Sequence, residues 1–167
     1  MKKTQKKLGN KGFSLVELIV VIAIMAVLVG VLAPTLIRNI EKSRVSKDDQ
    51  NLDTVRGAIV NALSVESAYN SLTKNGTAEV SIKGEDGTIT VKNADGDAGK
   101  KEIMANLGGN DTKDATVKMT SKTLKAADDI NFKVDRNGNV TGPFVGTNSY
   151  AEGTTAAASG TPTPSNP

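Results

Sequence analysis

Residues 12–37, GFSLVELIVVIAIMAVLVGVLAPTLI, decide the fold of this chain. From Phe13 to Ile37 the stretch is one apolar run of 25 residues, and Glu17 is its only charged residue. A helix rises about 1.5 Å per residue, so the run covers about 38 Å, enough to cross the ~30 Å hydrocarbon core of a bilayer with some tilt. We therefore predict a transmembrane helix over residues 13–37.

The presence of Glu17, a charged residue, within this apolar run requires an explanation. A charged side chain costs about 2.5–3.5 kcal/mol at the centre of a membrane. Glu17 lies within about one turn of the helix start, where the helix dipole favours an anion and the headgroups are near. Physical chemistry alone leaves two possibilities open: the carboxylate is tolerated there, or it is used.

The basic residues on either side of the apolar run give a weak indication of how the helix is oriented in the membrane. Five lysines precede it and four basic residues follow it, which slightly favours an amino terminus in the cytoplasm. Removing the five leading lysines takes the formal net charge from +3 to −2, so no specific nucleic acid is expected as a partner. The leading lysines are Lys2, Lys3, Lys6, Lys7 and Lys11, and the following basic residues are Arg38, Lys42, Arg44 and Lys47.

The composition argues against an enzyme. The chain contains neither Cys nor His, which excludes disulfides, thiolate metal sites and catalytic groups built on Ser-His-Asp or Cys-His. We therefore predict no catalytic residue, no metal site and no cofactor.

Two ordinary explanations of the apolar run stay open on these grounds. The first is a cleaved signal peptide, although the run is much longer than the usual ~7–15 residue core. Its best cut site, Val31-Leu32-Ala33, is followed by Pro34, which makes cleavage there unfavourable. The second is an uncut signal anchor that tethers a surface domain.

The combination of motifs resembles the amino terminus of type IV pilins. A short basic leader ends in Gly12, Phe13 is an aromatic first mature residue, and Glu17 follows four residues later, before the long apolar run. The resemblance covers roughly residues 1–44. It implies that a prepilin peptidase cuts between Gly12 and Phe13 on the cytoplasmic side and methylates the new amine of Phe13. It also implies that Glu17 pairs with the Phe13 amine of a neighbouring subunit, although pairing within one chain is equally permitted.

The resemblance also implies partners and a location. The precursor would cross the cytoplasmic membrane once, with its amino terminus in the cytoplasm, and the mature form would lie in an extracellular pilus. That pilus would be a helical filament of identical subunits, built by an assembly ATPase and a membrane platform protein, and would serve adhesion, twitching motility or biofilm formation. The absence of Cys is familiar in Gram-positive members, and the presence of Glu17 favours a major pilin. The alternative is a pseudopilin of a type II secretion or DNA-uptake machine.

Gly30 and Pro34 predict a weak point in the helix. Pro34 has no N–H, so the carbonyl of Gly30 loses its helical partner, and Gly30 is itself a weak helix former. A kink or a locally melted segment is the expectation. In the resembled family, a proline at a matching place accompanies loss of helix inside the filament.

The remainder predicts an α+β head, with the long helix packed on a small antiparallel sheet as in pilins. Leu52, Val55, Ile59, Leu63 and Glu66 follow a helical spacing, so we predict one helix from residue 13 to about residue 67. The predicted parts are a leader (1–12), a transmembrane helix (13–37), its amphipathic continuation (38–67), a globular head (68–150) and a disordered tail (151–167).

Alternating patterns place the smaller elements of the head. Strands are predicted over residues 79–83, 88–92, 116–120 and 130–134, the first two as a hairpin, and a short helix over residues 97–107. Residues 135–140 predict a hairpin turn, which we favour over a calcium loop because Val140 and Gly146 stand where that loop needs Gly and Glu. Because no disulfide is available, other contacts must hold the region after the last strand.

Overall fold

The computed structural model describes residues 12–109 and 114–151. The contacts within the chain form two compact units, one up to Asn39 and the other from Ile40 onward. All but Gly12 of the predicted leader and all but Ala151 of the predicted tail lie outside the described residues.

The first helix, α1, runs from Leu15 to Ala62. The prediction that it continues to about Ser67 is wrong, because the chain turns at residues 63–65 and begins a second helix, α2 (Glu66–Thr73). The turn lets α2 bury Ala68 and Leu72 in the same core as the end of α1. Because α2 also buries one face in this core, the helical spacing of apolar residues continues past the turn, although α1 itself ends at Ala62.

The buried stripe of α1 agrees with the predicted spacing where it faces the head. Leu52, Val55 and Ile59 are almost fully buried, and Leu63 is partly buried. Glu66, which the pattern placed on the same stripe, is exposed at the start of α2. The packing of α1 therefore ends where the chain turns.

Within the described residues, five strands form one antiparallel sheet in the order β2-β1-β3-β4-β5. Two further helices lie between the strands in sequence. The strands are β1 (Ala78–Ile82), β2 (Ile89–Lys92), β3 (Ile130–Val134), β4 (Val140–Val145) and β5 (Asn148–Ser149), and the helices are α3 (Ala98–Asn106) and α4 (Lys122–Lys125).

One face of the sheet and the stripe of α1 share a single hydrophobic core. Alternate residues of the two central strands are fully buried, as the two-residue period of a strand requires. They join Leu52, Val55 and Ile59 in one cluster. The buried strand residues are Ala78, Val80 and Ile82 in β1 and Ile130, Phe132 and Val134 in β3. The predicted α+β architecture, a long helix followed by a small antiparallel sheet, is confirmed.

Several local predictions are also confirmed. The first hairpin pairs Ile82 with Ile89, and β3 has the predicted bounds. Helix α3 ends as its two glycines indicate: Gly109 N donates to the carbonyl of Met104 at 2.8 Å, and Gly108 N donates to that of Ala105 at 3.0 Å. Gly108 adopts φ +84°, the left-handed conformation that this helix end requires.

The predicted strand over residues 116–120 is wrong. Thr116 forms a single bridge with Thr88, and Val117 N donates to the carbonyl of Gly87 at 2.9 Å. Beyond that point the segment leaves the sheet, and the N–H of Thr120 donates to the carboxylate of Asp48 on α1. A side chain of the helix thus takes the hydrogen bond that a neighbouring strand would have taken.

Candidate functional site

The start of α1 positions Glu17 through a hydrogen bond within its own chain. The backbone N–H of Ser14 donates to Oε2 of Glu17 at 2.9 Å, and the N–H of Leu18 donates to the carbonyl of Ser14 at 3.2 Å. Ser-x-x-Glu is the spacing of a capping box, in which the Glu satisfies the N–H that precedes the helix. This local function of Glu17 was not predicted, although the spacing Ser14-x-x-Glu17 was the available signal.

Gly12 and Phe13 lie before the helix and are open to solvent. Neither residue has regular secondary structure, and Phe13 is 93 % exposed. A Cβ placed on Gly12 would meet no atom within 4 Å. The bond between Gly12 and Phe13 is therefore accessible and needs no unwinding of α1 to be reached.

The apolar part of α1 is exposed on all sides. From Leu15 to Ile37 every large apolar side chain keeps at least half of its surface accessible. Soluble proteins rarely expose contiguous apolar patches larger than a few hundred Å². Within the described residues, α1 is the one helix that is long and apolar enough to cross a membrane. This surface requires lipid or the apolar surface of another molecule.

Gly30 and Pro34 do not interrupt the helix. Residues 15–62 are continuously helical, so the described chain has no melted segment at this place. Arg38 Nε reaches back to the carbonyl of Pro34 at 3.4 Å. The predicted loss of helix concerns the assembled filament and stays a prediction.

A buried carboxylate joins α1 to the segment before α4. Asp48 is fully buried, and its oxygens accept hydrogen bonds from the N–H of Thr120 at 2.8 and 3.0 Å and from the N–H of Ser121 at 2.7 Å. The hydroxyl of Thr120 donates to the same carboxylate at 3.0 Å. About two helical turns before Asp48 on α1, Oε1 of Glu41 accepts a hydrogen bond from the N–H of Lys122 at 2.7 Å.

Asp48 was not among the predicted site residues, although the sequence carried a signal for it. Asp48 precedes Leu52 by four residues and Val55 by seven, so it lies on the buried stripe of the helix. Buried charges need hydrogen-bond partners. A carboxylate on the apolar face therefore indicates a segment elsewhere in the chain that brings N–H groups to it.

The region after the last long strand is held without a disulfide. The hydroxyl of Tyr150 donates to Oδ1 of Asp49 on α1 at 2.8 Å, and the N–H of Tyr150 donates to the carbonyl of Pro143 at 3.0 Å. Arg56 Nη2 donates to the carbonyl of Gly142, and its guanidinium lies 6.0 Å from the ring centre of Phe132. The two bonds of Tyr150 hold the region after β4, and Arg56 on α1 contacts β4 and β3 themselves.

The hairpin at Asp135 is organised by its own carboxylate. Oδ1 accepts from the N–H groups of Asn137 and Asn139, each at 2.8 Å, and Oδ2 accepts from the side-chain amide of Asn139 at 2.8 Å. The amide of Asn139, followed by the backbone N–H groups, lowers the pKa of Asp135 below its ordinary value. In the described part of the chain, no group of three or more carboxylates is arranged to hold a metal ion.

Comparison with known proteins gives one match. A family model described as the prokaryotic N-terminal methylation motif matches residues 7–33, a segment that includes Gly12, Phe13 and Glu17. Searches of curated proteins and of solved structures found no match. The chain therefore carries the type IV pilin signal at the start of a long apolar helix, and an α+β head follows that helix. The methylation motif supports a pilin-like substrate of prepilin peptidase.

Proposed function

We propose that this chain is a type IV pilin, the structural subunit of a surface filament. The observation that carries the proposal is the coincidence of the methylation motif with a helix whose apolar side chains have no partner within the described chain. Burying one such side chain contributes about 1.5–3 kcal/mol, so a run of them strongly favours insertion in lipid and then packing against other copies. The function belongs to the filament, and the subunit itself catalyses nothing.

Processing is the first proposed step. Prepilin peptidase cleaves the accessible bond between Gly12 and Phe13 and methylates the new amine of Phe13. Until then residues 1–12 act as the leader and keep the amino terminus in the cytoplasm. Cleavage leaves a positive charge at Phe13, about one helical turn from Glu17.

Glu17 is the proposed docking charge of assembly. A carboxylate has two oxygens with about four acceptor positions, so the bond from the N–H of Ser14 to Oε2 leaves capacity for a further donor. The amine of Phe13 in a neighbouring subunit is that donor. Pairing removes the penalty of burying either charge alone, and it fixes the register of one subunit against the next.

Residues 13–37 form the filament core in this proposal, and residues 38–150 carry the continuation of the helix and the head. Gly30 and Pro34 are the place where the helix loses hydrogen bonds during assembly. An assembly ATPase and a membrane platform protein move the subunit from the cytoplasmic membrane to an extracellular pilus. That pilus serves adhesion, twitching motility or biofilm formation in a Gram-positive bacterium, with this chain as its major subunit.

The proposal is tested by Glu17→Gln, with Glu66→Gln as the matched control. Both changes remove one carboxylate, and Glu66 is exposed on α2 in the head. We expect Glu17→Gln to abolish sheared filaments, as counted by electron microscopy, while the detergent-extracted subunit keeps the melting temperature of the unaltered protein. Glu66→Gln should give normal filaments. Normal filaments from Glu17→Gln would refute the docking function of Glu17.

A further inference from the structure

The sequence contains two Asn-Gly pairs, Asn75-Gly76 and Asn137-Gly138. In such a pair the glycine nitrogen can attack the side-chain carbonyl carbon of the asparagine. Ammonia leaves, a five-membered cyclic imide forms, and water then opens the imide to aspartate or isoaspartate. Glycine favours the reaction because it has no side chain to hinder the attack and its backbone adopts many conformations. The surroundings of each pair decide how fast it reacts.

The first pair lies in an open turn. Asn75 is exposed between α2 and β1, and its carboxamide makes no hydrogen bond with the residues that the structure describes. The attacking nitrogen, that of Gly76, is held only by a long hydrogen bond of 3.4 Å to the carbonyl of Thr73. Gly76 has φ +109°, a conformation that few other residues adopt. Little therefore opposes the rotation that brings the nitrogen to the carboxamide.

A cation lies beside this turn. A Cβ built on Gly76 would lie 3.8 Å from Nη2 and 3.9 Å from Nε of Arg136. The reaction passes through a deprotonated backbone nitrogen and an oxyanion, and a neighbouring guanidinium stabilises negative charge of this kind. Arg136 also favours the products, since either one places a new carboxylate next to it.

The second pair is held by its hairpin. The N–H of Gly138 donates to the carbonyl of Asp135 at 3.0 Å, and the N–H of Asn137 donates to Oδ1 of Asp135 at 2.8 Å. A Cβ on Gly138 would lie 2.9 Å from Cε2 of Tyr69, so the ring of Tyr69 packs directly against this glycine. The turn connects the paired strands β3 and β4. Rotation at Asn137 would break these contacts, which slows the reaction there.

We propose that Asn75 is a site of spontaneous deamidation in the folded protein, and that it reacts at least several-fold faster than Asn137. The amide nitrogen leaves as ammonia and water supplies the new oxygen, so no enzyme, oxidant or reductant is needed. Each event lowers the net charge of the chain by one and adds an acidic group next to Arg136. A long-lived copy of this protein therefore acquires an acidic turn between α2 and β1.

The test uses the full-length protein in detergent at mildly alkaline pH, followed over days by peptide mass spectrometry with resolution of isoaspartate. Asn137 is an internal control in the same molecule. We expect Asn75 to convert several-fold faster than Asn137 in the folded protein and the ratio to approach one in strong denaturant. Equal or faster conversion of Asn137 in the folded protein would overturn the proposal. Arg136→Ala should slow conversion of Asn75 by several-fold, and an unchanged rate would overturn the assigned effect of Arg136.

Discussion

The buried carboxylate of Asp48 supports the sharpest prediction about the stability of the head. Asp48→Ala removes the acceptor of the N–H groups of Thr120 and Ser121 and leaves a small void at a fully buried position. Each of the two buried donors left without a partner costs about 1–3 kcal/mol, so the expected loss is about 2–6 kcal/mol. In a domain of this size, 1 kcal/mol corresponds to about 4 °C in Tm. The expected fall in Tm is therefore about 8–24 °C.

The assay is thermal unfolding of the detergent-solubilised full chain, followed by circular dichroism at a sheet-sensitive wavelength. Asp48→Asn keeps one acceptor oxygen and should lose less than the alanine variant. Asp53→Ala is the matched control, since Asp53 is exposed on the same helix and its removal should change stability by less than ~0.5 kcal/mol. If Asp48→Ala and Asp53→Ala unfold at the same temperature, the reasoning about the buried carboxylate is wrong.

Three further predictions concern the head. Tyr150→Phe removes the hydrogen bond to Asp49 and should lower the free energy of unfolding by about 1 kcal/mol. Faster amide hydrogen exchange near residue 150 would support this prediction, and unchanged exchange would contradict it. The lowered pKa of Asp135 makes its contribution to stability complete above the unfolded value of about 3.9, and that contribution is lost as the pH falls through the lower folded value. The stability difference between the unaltered protein and Asp135→Asn should therefore be constant at mildly acidic pH and shrink as the pH falls below about 4 in denaturant titrations, and a difference that stays constant there would contradict this. Glu41→Gln keeps an acceptor for the N–H of Lys122 and should cost at most about 1 kcal/mol by thermal unfolding, whereas a loss as large as that of Asp48→Ala would contradict the ranking.

Periodicity was enough to predict the elements that depend on burial alone. The spacing of Leu52, Val55 and Ile59 predicted the buried face of α1, and alternation predicted β3 with its observed bounds. Gly108 and Gly109 predicted the end of α3, because a left-handed helix end has a strong local preference for glycine. These features are determined by residues close together in the sequence.

The failures have a different physical cause. Residues 116–120 alternate like a strand, but the segment leaves the sheet after Val117, and the N–H of Thr120 bonds to the carboxylate of Asp48 on α1. The length of α1 was overestimated because Leu63 and Glu66 continue the helical spacing, whereas Leu63 lies in the turn and Glu66 begins α2. In both places, long-range contacts override the local pattern.

At the candidate site, too, some features depend on residues close together in the sequence and others depend on distant contacts. Gly12, Phe13 and Glu17 were predicted from the resemblance to type IV pilins, and the methylation motif matches the segment that contains them, while their individual functions stay predictions. The hydrogen bond from Ser14 to Glu17 was also readable from the sequence as a capping box, yet it was missed. Pairing of Glu17 between subunits depends on a second copy of the chain, so neither the sequence nor the structure of one chain determines it.

The mass of the amino-terminal peptide of the cell-associated protein tests the central claim most directly. Digestion and mass spectrometry should find a peptide that begins at Phe13 and carries one added methyl group. A peptide that begins at Met1 would mean that the chain is an uncut anchored domain and that Glu17 is merely tolerated. A peptide that begins at Pro34 would mean that the apolar run is a cleaved signal peptide, and it would contradict the filament account.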